Sequence, residues 1–486
     1  MGIRIKAVRV ILYGIFLVGG VGEKVSGQNL YERYPFLRED LNVVVKSNQG
    51  LAGFYHQLDR LETRKIRTVN VVHIGDSHIQ ADWMSGQLRA LLQTRFGTAG
   101  RGLVFPYAQA RTNGPVDIQT NSNVSWQAKR TVHLNNPLPV GVSGLTLTTQ
   151  SRNASLKISL RSSPYGVQQS FNKVTVFAPR GKDYLDWQVG ETVQGNRIPQ
   201  VTGGESRPLY HKVTIGETLS GIANKYRTTV GNLQRLNGME DTRIFEGQRL
   251  KVRGGNGSRG ALPRMRGGSG VISSSVAHPF VRSFYLPEPT KSVILQTQQH
   301  IPSQAQTQLY GVVLENYHQS GILYHMVGVN GAKFEHYNKA EAFWDQIQAL
   351  KPDLIIISLG TNETVGKYFS DQSFFVELDD FIYNLESYVP HGSILLTAPP
   401  DAYRAKQYEN PSILKARNIM LDYATGNSIG FWDLYGVMGG QGSVQQWYSA
   451  GLAQSDKLHF NRSGYELQGK LLFDALMKGY ESYLHR

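Results

Sequence analysis

Thr68-Val69-Asn70-Val71-Val72-His73-Ile74-Gly75-Asp76-Ser77-His78 runs from a short apolar stretch directly into a tight turn. The β-branched run Thr68 to Ile74 reads as a buried strand, and Met84, Leu88, Leu91 and Leu92 follow at helical spacing. Upstream, Leu51, Phe54, Tyr55, Leu58 and Leu61 mark another helix within Leu41 to Leu61. Helix, strand, turn, helix is the order of an α/β sheet. The same alternation resumes far downstream. Strand-like runs at Ile322 to Val329, Leu354 to Leu359 and Ile394 to Thr397 alternate with helical stretches near Phe343 to Leu350, Phe374 to Tyr388 and Tyr465 to Tyr483. Unbroken apolar strands between helices predict a parallel sheet covered on both faces. The two halves therefore form one α/β domain, 28–105 and 311–486, split by what lies between them.

The intervening texture differs. From about Gly97 the chain is rich in Gly, Asn, Thr and Pro, with period-2 runs such as Leu156-Lys157-Ile158-Ser159-Leu160 and Val174-Thr175-Val176, and a similar run at Ser292-Val293-Ile294-Leu295. Alternation between turn residues predicts an antiparallel β-sandwich, here 106–208 and 271–310. Within it sits a compact segment, 209–253, with strand, helix, helix, strand character. A Gly-rich exit, 254–270, follows it and reads as a flexible linker.

Composition limits the chemistry. The chain has 486 residues and no cysteine, which excludes a disulfide framework, a Cys-based metal site and a thiol nucleophile. Any catalyst is oxygen- or His-based. Lys and Arg number 51 against 37 Asp and Glu, a formal charge of +14, yet no basic run of five or more residues occurs, so a nucleic-acid partner is not expected. Arg4, Lys6 and Arg9 precede an apolar stretch from Val10 to Val21 and small residues through Val25-Ser26-Gly27. This is the pattern of a secretory signal peptide, 1–27, cleaved after Gly27. Retention as an anchor is the alternative, although the stretch is shorter than the ~20 residues that span a bilayer. No stable membrane span is expected after cleavage, and the mature protein is placed in the periplasm or outside the cell.

Four blocks carry candidate chemistry. Gly75-Asp76-Ser77-His78 is what a plain capped turn looks like, but it also lifts Ser77 to a strand end at a helix N-terminus. A serine hydroxyl is a weak nucleophile until a base takes its proton. Ser455-Asp456-Lys457-Leu458-His459-Phe460 supplies an i, i+3 pair in which Asp456 can hold Nδ1–H of His459 while Nε2 faces a nucleophile. The pair stands ahead of a helix whose start is read from Ser463 and Glu466 as a capping box. Gly360-Thr361-Asn362-Glu363 places an amide at the carboxyl end of a strand, and Asn330-Gly331-Ala332 places a backbone N–H without a side chain in its way. Both Asn362 and Gly331 are candidate donors to an oxyanion. Each block alone is also an ordinary turn.

Together, and in this order, the blocks resemble the SGNH hydrolases, also called the GDSL family, over residues 66–92 and 320–475. The resemblance implies a three-layer α/β/α fold in which Ser77 is the nucleophile, His459 the base and Asp456 its orienting partner. It further implies an oxyanion hole formed by Gly331, Asn362 and the Ser77 N–H, with no metal or organic cofactor. His78 stands where Leu is usual and Glu363 where Asp is common, which leaves the substrate class open. Val213 to Leu219, Ile222-Ala223, Tyr226, Asn232-Leu233, Leu236-Asn237 and Ile244 to Val252 are similar to the LysM module, whose family binds N-acetylglucosamine-containing glycans such as peptidoglycan or chitin. An α/β domain split by a β-module also resembles the bacterial peptidoglycan O-acetylesterases.

The expected activity is that of a secreted serine esterase removing O-acetyl or related acyl groups from cell-wall glycan, with peptidoglycan the expected partner. The alternatives are a glycan O-acyltransferase with the same triad and a non-catalytic LysM wall-binding protein. A lipase or thioesterase suits the fold but not the glycan module. Trp126 and Trp187 in the sandwich are read as core residues, with sugar stacking as the alternative.

Overall fold

The computed structural model describes residues 30–191, 209–253, 272–274 and 280–486, apart from positions 137, 215, 216, 227, 229, 238, 240, 246 and 367. The expected signal peptide and the Gly-rich linker lie outside the described residues. Among the described residues, no helix is long and apolar enough to cross a membrane.

A six-stranded sheet organises the α/β domain. Its strands are β1 (Val44–Val45), β2 (Thr68–Gly75), β3 (Gly321–Gly328), β4 (Leu354–Ser358), β5 (Ser393–Thr397) and β6 (Gly430–Trp432), in the spatial order β1-β6-β5-β4-β2-β3. All neighbours are parallel except the edge pair β1 and β6. The apolar β2, β3, β4 and β5 are buried along almost their whole length, as strands covered on both faces must be. Two groups of helices cover them. Ala52–Glu62 (α1), Met84–Phe96 (α3, following the short α2, Ser77–Gln80) and Arg462–Leu484 (α7) pack together through Tyr55, Phe96 and Tyr480. Asp371–Tyr388 (α5, following the one-turn α4, Thr361–Thr364) packs on Phe334 and Trp344 through Phe381, and Pro411–Gly426 (α6) continues that layer. The result is the expected three-layer α/β/α arrangement. Sequence periodicity anticipated β2 to β5, but not the short β1 and β6 or helix α6.

Most of the remaining strands form antiparallel sheets of five, four and three strands, and two further sheets have two strands each. Gly100–Val104 and Gly311–Glu315, expected on the α/β side of the boundary, pair with each other, and Gly311–Glu315 also pairs with Phe171–Phe177 in the five-stranded sheet. Gly102 explains how Gly100–Val104 can serve both modules. It lies at φ +79°, and a Cβ there would collide with the Tyr324 carbonyl of β3. A buried ion network ties the same seam. Arg101 reaches Asp82 at 2.6 Å and Asp117 at 2.7 Å, and Arg89 reaches Asp82 at 2.8 Å, with all four side chains almost fully buried. Trp126 and Trp187 stack on one another in the interior, so they are core residues and present no face to a sugar.

Leu209–Lys212 pairs antiparallel with Arg249–Arg253, and helices Leu219–Lys225 and Val230–Asn237 lie between them in sequence. Val213, Leu219, Ile222, Ala223, Leu233, Leu250 and Val252 make an apolar core of their own, separate from the main one.

Candidate active site

Register decides which loops meet. Gly75 of β2 is paired with Gly328 of β3 on one side and with Ser358 of β4 on the other. Three strands therefore end at one level, and the segments 76–77, 329–331 and 360–362 emerge side by side at their carboxyl ends, where open α/β sheets place their ligands.

Ser77 is the first residue of α2, half-buried, and its N–H belongs to the first helical turn, which lacks intrahelical acceptors. Asp76 caps that helix, Oδ1 accepting from His78 N–H at 2.9 Å. Ser77 Oγ lies 3.2 Å from His459 Nε2, and His459 Nδ1 lies 2.8 Å from Asp456 Oδ2. The structure thus brings together Ser77, His459 and Asp456, which are 382 and 3 residues apart in sequence. Asp456 to His459 forms a loop closed by a bridge between Ala453 and Phe460. Asp456 Oδ1 accepts the N–H groups of Leu458 and His459, an Asx turn that fixes the carboxylate before the ring binds it. Lys457 pays for the turn with a left-handed φ of +49°. The helix that follows is capped by Asn461, which accepts from Gly464 N–H, while Glu466 pairs with Arg462; the capping box expected from Ser463 and Glu466 is not formed.

Electrostatics suit proton transfer. Burial opposes ionisation of Asp456, but the hydrogen bonds from the His459 ring and from two backbone N–H groups outweigh it and hold the carboxyl at about 2. Burial also opposes charge on His459. The hydrogen bond and charge of Asp456, with a contribution from Asp76, outweigh it and raise the imidazole above its ordinary value. Beneath the ring, His78 packs at 5.6 Å between centroids, its Nδ1 bonded to Tyr465 Oη at 3.0 Å. Burial lowers His78 to about 3, so it stays neutral beside His459.

Asn362 joins the other blocks. Its Nδ2 donates to Asp76 Oδ2 at 2.9 Å and to the Ala332 carbonyl at 3.0 Å, bridging the residue before Ser77 to the residue after Gly331. Gly331 sits at φ +80°, and nothing crowds the position of a Cβ there except Val132 Cγ1 at 4.0 Å. Glu363 accepts from Phe334 N–H through Oε1, and burial raises it to about 7. Burial raises Asp76 to about 7 as well.

Two participants were not visible in the sequence. Gln80 of α2 donates to Asn113 Oδ1 at 2.9 Å and to its carbonyl at 2.7 Å, and accepts from Asn330 N–H at 2.6 Å; Asn330 Nδ2 in turn donates to Asn113 Oδ1 at 2.8 Å. Asn113 comes from the β-module, and no local pattern announces a contact between segments 217 residues apart. Among the described residues, no group of three or more His, Asp or Glu is placed to hold a metal ion.

Residues 297–467 match the GDSL-like Lipase/Acylhydrolase family and residues 211–253 match the LysM domain. Over these two stretches the chain is therefore similar to the GDSL-like acylhydrolases and to LysM domains. The match begins after the segment bearing Ser77, which the topology returns to the sheet as β2. A solved structure of a peptidoglycan O-acetylesterase is 19% identical with a TM-score of 0.62, covering 90% of this chain and 99% of that one, a likeness of fold. A lipase/acylhydrolase from Enterococcus faecalis is 20% identical over 32% of this chain and 75% of its own, with a TM-score of 0.27. The N-acetylmuramoyl-L-alanine amidase sle1 of Staphylococcus aureus is 35% identical over 99 residues, 19% of this chain. The chain spans 29% of the length of that curated relative.

Proposed function

We propose that the protein is a secreted or envelope serine esterase that removes O-acetyl or closely related acyl groups from cell-wall glycan, with peptidoglycan as its polymer. The observation that carries the reading is the hydrogen-bonded series Ser77 Oγ, His459 Nε2 and Nδ1, Asp456 Oδ2 at a shared strand end. Ser77 Oγ attacks the ester carbonyl as its proton passes to His459 Nε2. Asp456 stabilises the imidazolium, and the Ser77 and Gly331 N–H groups with Asn362 stabilise the oxyanion. Collapse of the tetrahedral intermediate breaks the bond to the sugar oxygen, which leaves with the proton from His459. Water then attacks the acyl-Ser77 ester with His459 as base, releasing the acid and restoring the serine. The LysM domain, of a family that binds N-acetylglucosamine-containing glycans, holds the enzyme on the wall.

The test is acetate release from O-acetylated peptidoglycan, measured beside acetylated xylan and acetylated chitin oligomers. Preferred release from peptidoglycan is expected. Release from none of the three glycans, by protein that hydrolyses p-nitrophenyl acetate, overturns the reading.

A further inference from the structure

His78 follows the nucleophile directly, where the resembling family usually carries Leu, and its side chain is enclosed almost completely. Its ring lies among three others: His459 at 5.6 Å between centroids with the planes 35° apart, Tyr465 at 5.8 Å and Phe460 at 6.0 Å. Nδ1 of His78 meets Tyr465 Oη at 3.0 Å, while Nε2 is buried with no hydrogen-bond partner among the described residues.

This polarity does not serve the resting fold. Burial holds the Tyr465 phenol protonated, well above its ordinary value, so the pair owns two protons, one O–H and one imidazole N–H, and a single hydrogen bond to place them in. If the phenol donates to Nδ1, the imidazole proton sits unpaired on Nε2. If Nδ1–H donates instead, the phenol proton is left over. Either way a buried donor goes without an acceptor, which is destabilising, and an apolar pair of the same shape would avoid it.

The polar ring acts when His459 takes the Ser77 proton. A cation is stabilised over the face of a neutral aromatic ring within about 6 Å of its centroid. His78 offers such a face to the His459 ring, and leucine offers none. Burial pushes His78 down to about 3, and a charge on His459 adds to that effect, so the two rings are not charged together at neutral pH. The other titratable groups felt at His459 are Asp456 of its own loop and Asp76 ahead of α2, while the ammonium of Lys457 lies over the Tyr403 and Tyr448 rings.

We infer that His78 is a positioning residue for the base: held by Tyr465, its neutral ring supports the imidazolium that forms on His459 as Ser77 attacks. The inference rests on the esterase reading proposed above, and it attaches the departure from Leu to the proton-transfer step rather than to the choice of substrate.

The test is the pH dependence of kcat/KM on p-nitrophenyl acetate, measured with the full chain. His78→Leu combined with Tyr465→Phe removes both polar groups at once, so no unpaired donor remains and the melting temperature is expected at or above that of wild type. The rate on the plateau above the midpoint is expected to fall about 3- to 10-fold, and the midpoint to move down by the same factor, about 0.5–1 pH unit. The two profiles then converge at low pH, whereas general damage to the site scales the whole profile. His78→Phe with Tyr465→Phe restores a ring face and should bring midpoint and plateau back toward wild type. If the leucine pair does not fold, His78→Met with Tyr465→Phe takes its place, since Met adapts to irregular space. An unmoved midpoint in the leucine or methionine pair, or a phenylalanine pair that behaves like them, overturns the role of His78 and leaves the esterase reading standing. Wild type that hydrolyses no ester overturns the esterase reading, and this inference falls with it.

Discussion

Asn362 donates its side-chain amide to Asp76 Oδ2 at 2.9 Å and, with its other N–H, to the Ala332 carbonyl. Both protons of the proposed oxyanion donor are therefore in use in the resting site. Donation to a developing oxyanion requires one of these bonds to open or to be shared, and the Asp76 bond is the one adjacent to Ser77. Removing the amide costs the transition state a donor and leaves Asp76 Oδ2 without its partner. Asn362→Ala is expected to lower kcat on p-nitrophenyl acetate by about 10²–10³. A loss smaller than tenfold, in folded protein, removes Asn362 from the oxyanion hole.

Ser77→Ala is expected to abolish ester hydrolysis and labelling by a fluorophosphonate probe while leaving the melting temperature nearly unchanged. Ser77 is only half-buried, and its hydroxyl contacts His459 Nε2 rather than packing in the core. The helix cap is supplied by Asp76 and survives the substitution. Residual turnover near wild type identifies another nucleophile.

The pH profile follows from the same charges. His459 acts as a base only when neutral, and Asp456 and Asp76 both favour its protonated form. Activity should therefore rise with pH through a midpoint above the ordinary histidine value of ~6.5. Asp76→Asn removes one of the two charges and presents an NH2 group to the Asn362 amide, so the midpoint should move to lower pH while kcat falls. A midpoint identical to wild type shows that the Asp76 charge is not felt at His459. Asp456→Asn loses the stronger of the two charges and the acceptor for Nδ1–H, and its turnover should fall further.

The seam between the modules contributes to stability. Asp117→Ala leaves the fully buried Arg101 guanidinium with Asp82 as its remaining acidic partner, shared with Arg89. Breaking a buried pair from one side typically costs about 3–5 kcal/mol. Chemical denaturation should show a loss of that size, accompanied by loss of ester turnover, since Asp82 lies two residues beyond the helix that carries Ser77. A loss under about 1 kcal/mol means that water reaches Arg101 and the network is not closed.

Legibility followed range. Residues 68–78 were readable as strand, turn and helix because β-branched burial and helical spacing are local signals, and β3, β4 and β5 were readable for the same reason. The strand at Gly430–Trp432 is three residues long and carries no periodicity, so only its pairing with β5 defines it. Asp76 was legible as a helix cap but not as the acceptor of Asn362, because that bond joins positions 286 residues apart. The Ser463 and Glu466 pattern misled for a related reason: Asn461, two residues earlier, is an equally good cap and sits where the chain leaves the Ala453 to Phe460 bridge. Asn113 lies in a loop with no motif, and its contacts with Gln80 and Asn330 depend wholly on where the β-module docks.

The LysM domain offers the cleanest separation of parts. Leu209 and Arg253 are paired neighbours in its two-stranded sheet, so the domain leaves and rejoins the chain at nearly one point. Its apolar core is separate from that of the rest of the molecule, and none of Ser77, Gly331, Asn362, Asp456 or His459 lies within it. Replacing residues 211–253 by a short Gly/Ser linker therefore closes a gap of about one strand spacing, ~5 Å, without stretching the flanks. Binding to sacculi, measured by co-sedimentation, is expected to weaken, and acetate release from insoluble wall to slow with it. Tethering raises the local concentration of polymer-bound ester to the order of millimolar but does nothing for a diffusing one, so turnover of p-nitrophenyl acetate should persist. A folded deletion variant that loses small-ester turnover would make the LysM domain part of the catalytic site. Sacculus binding that survives the deletion would place the wall receptor in the β-module instead.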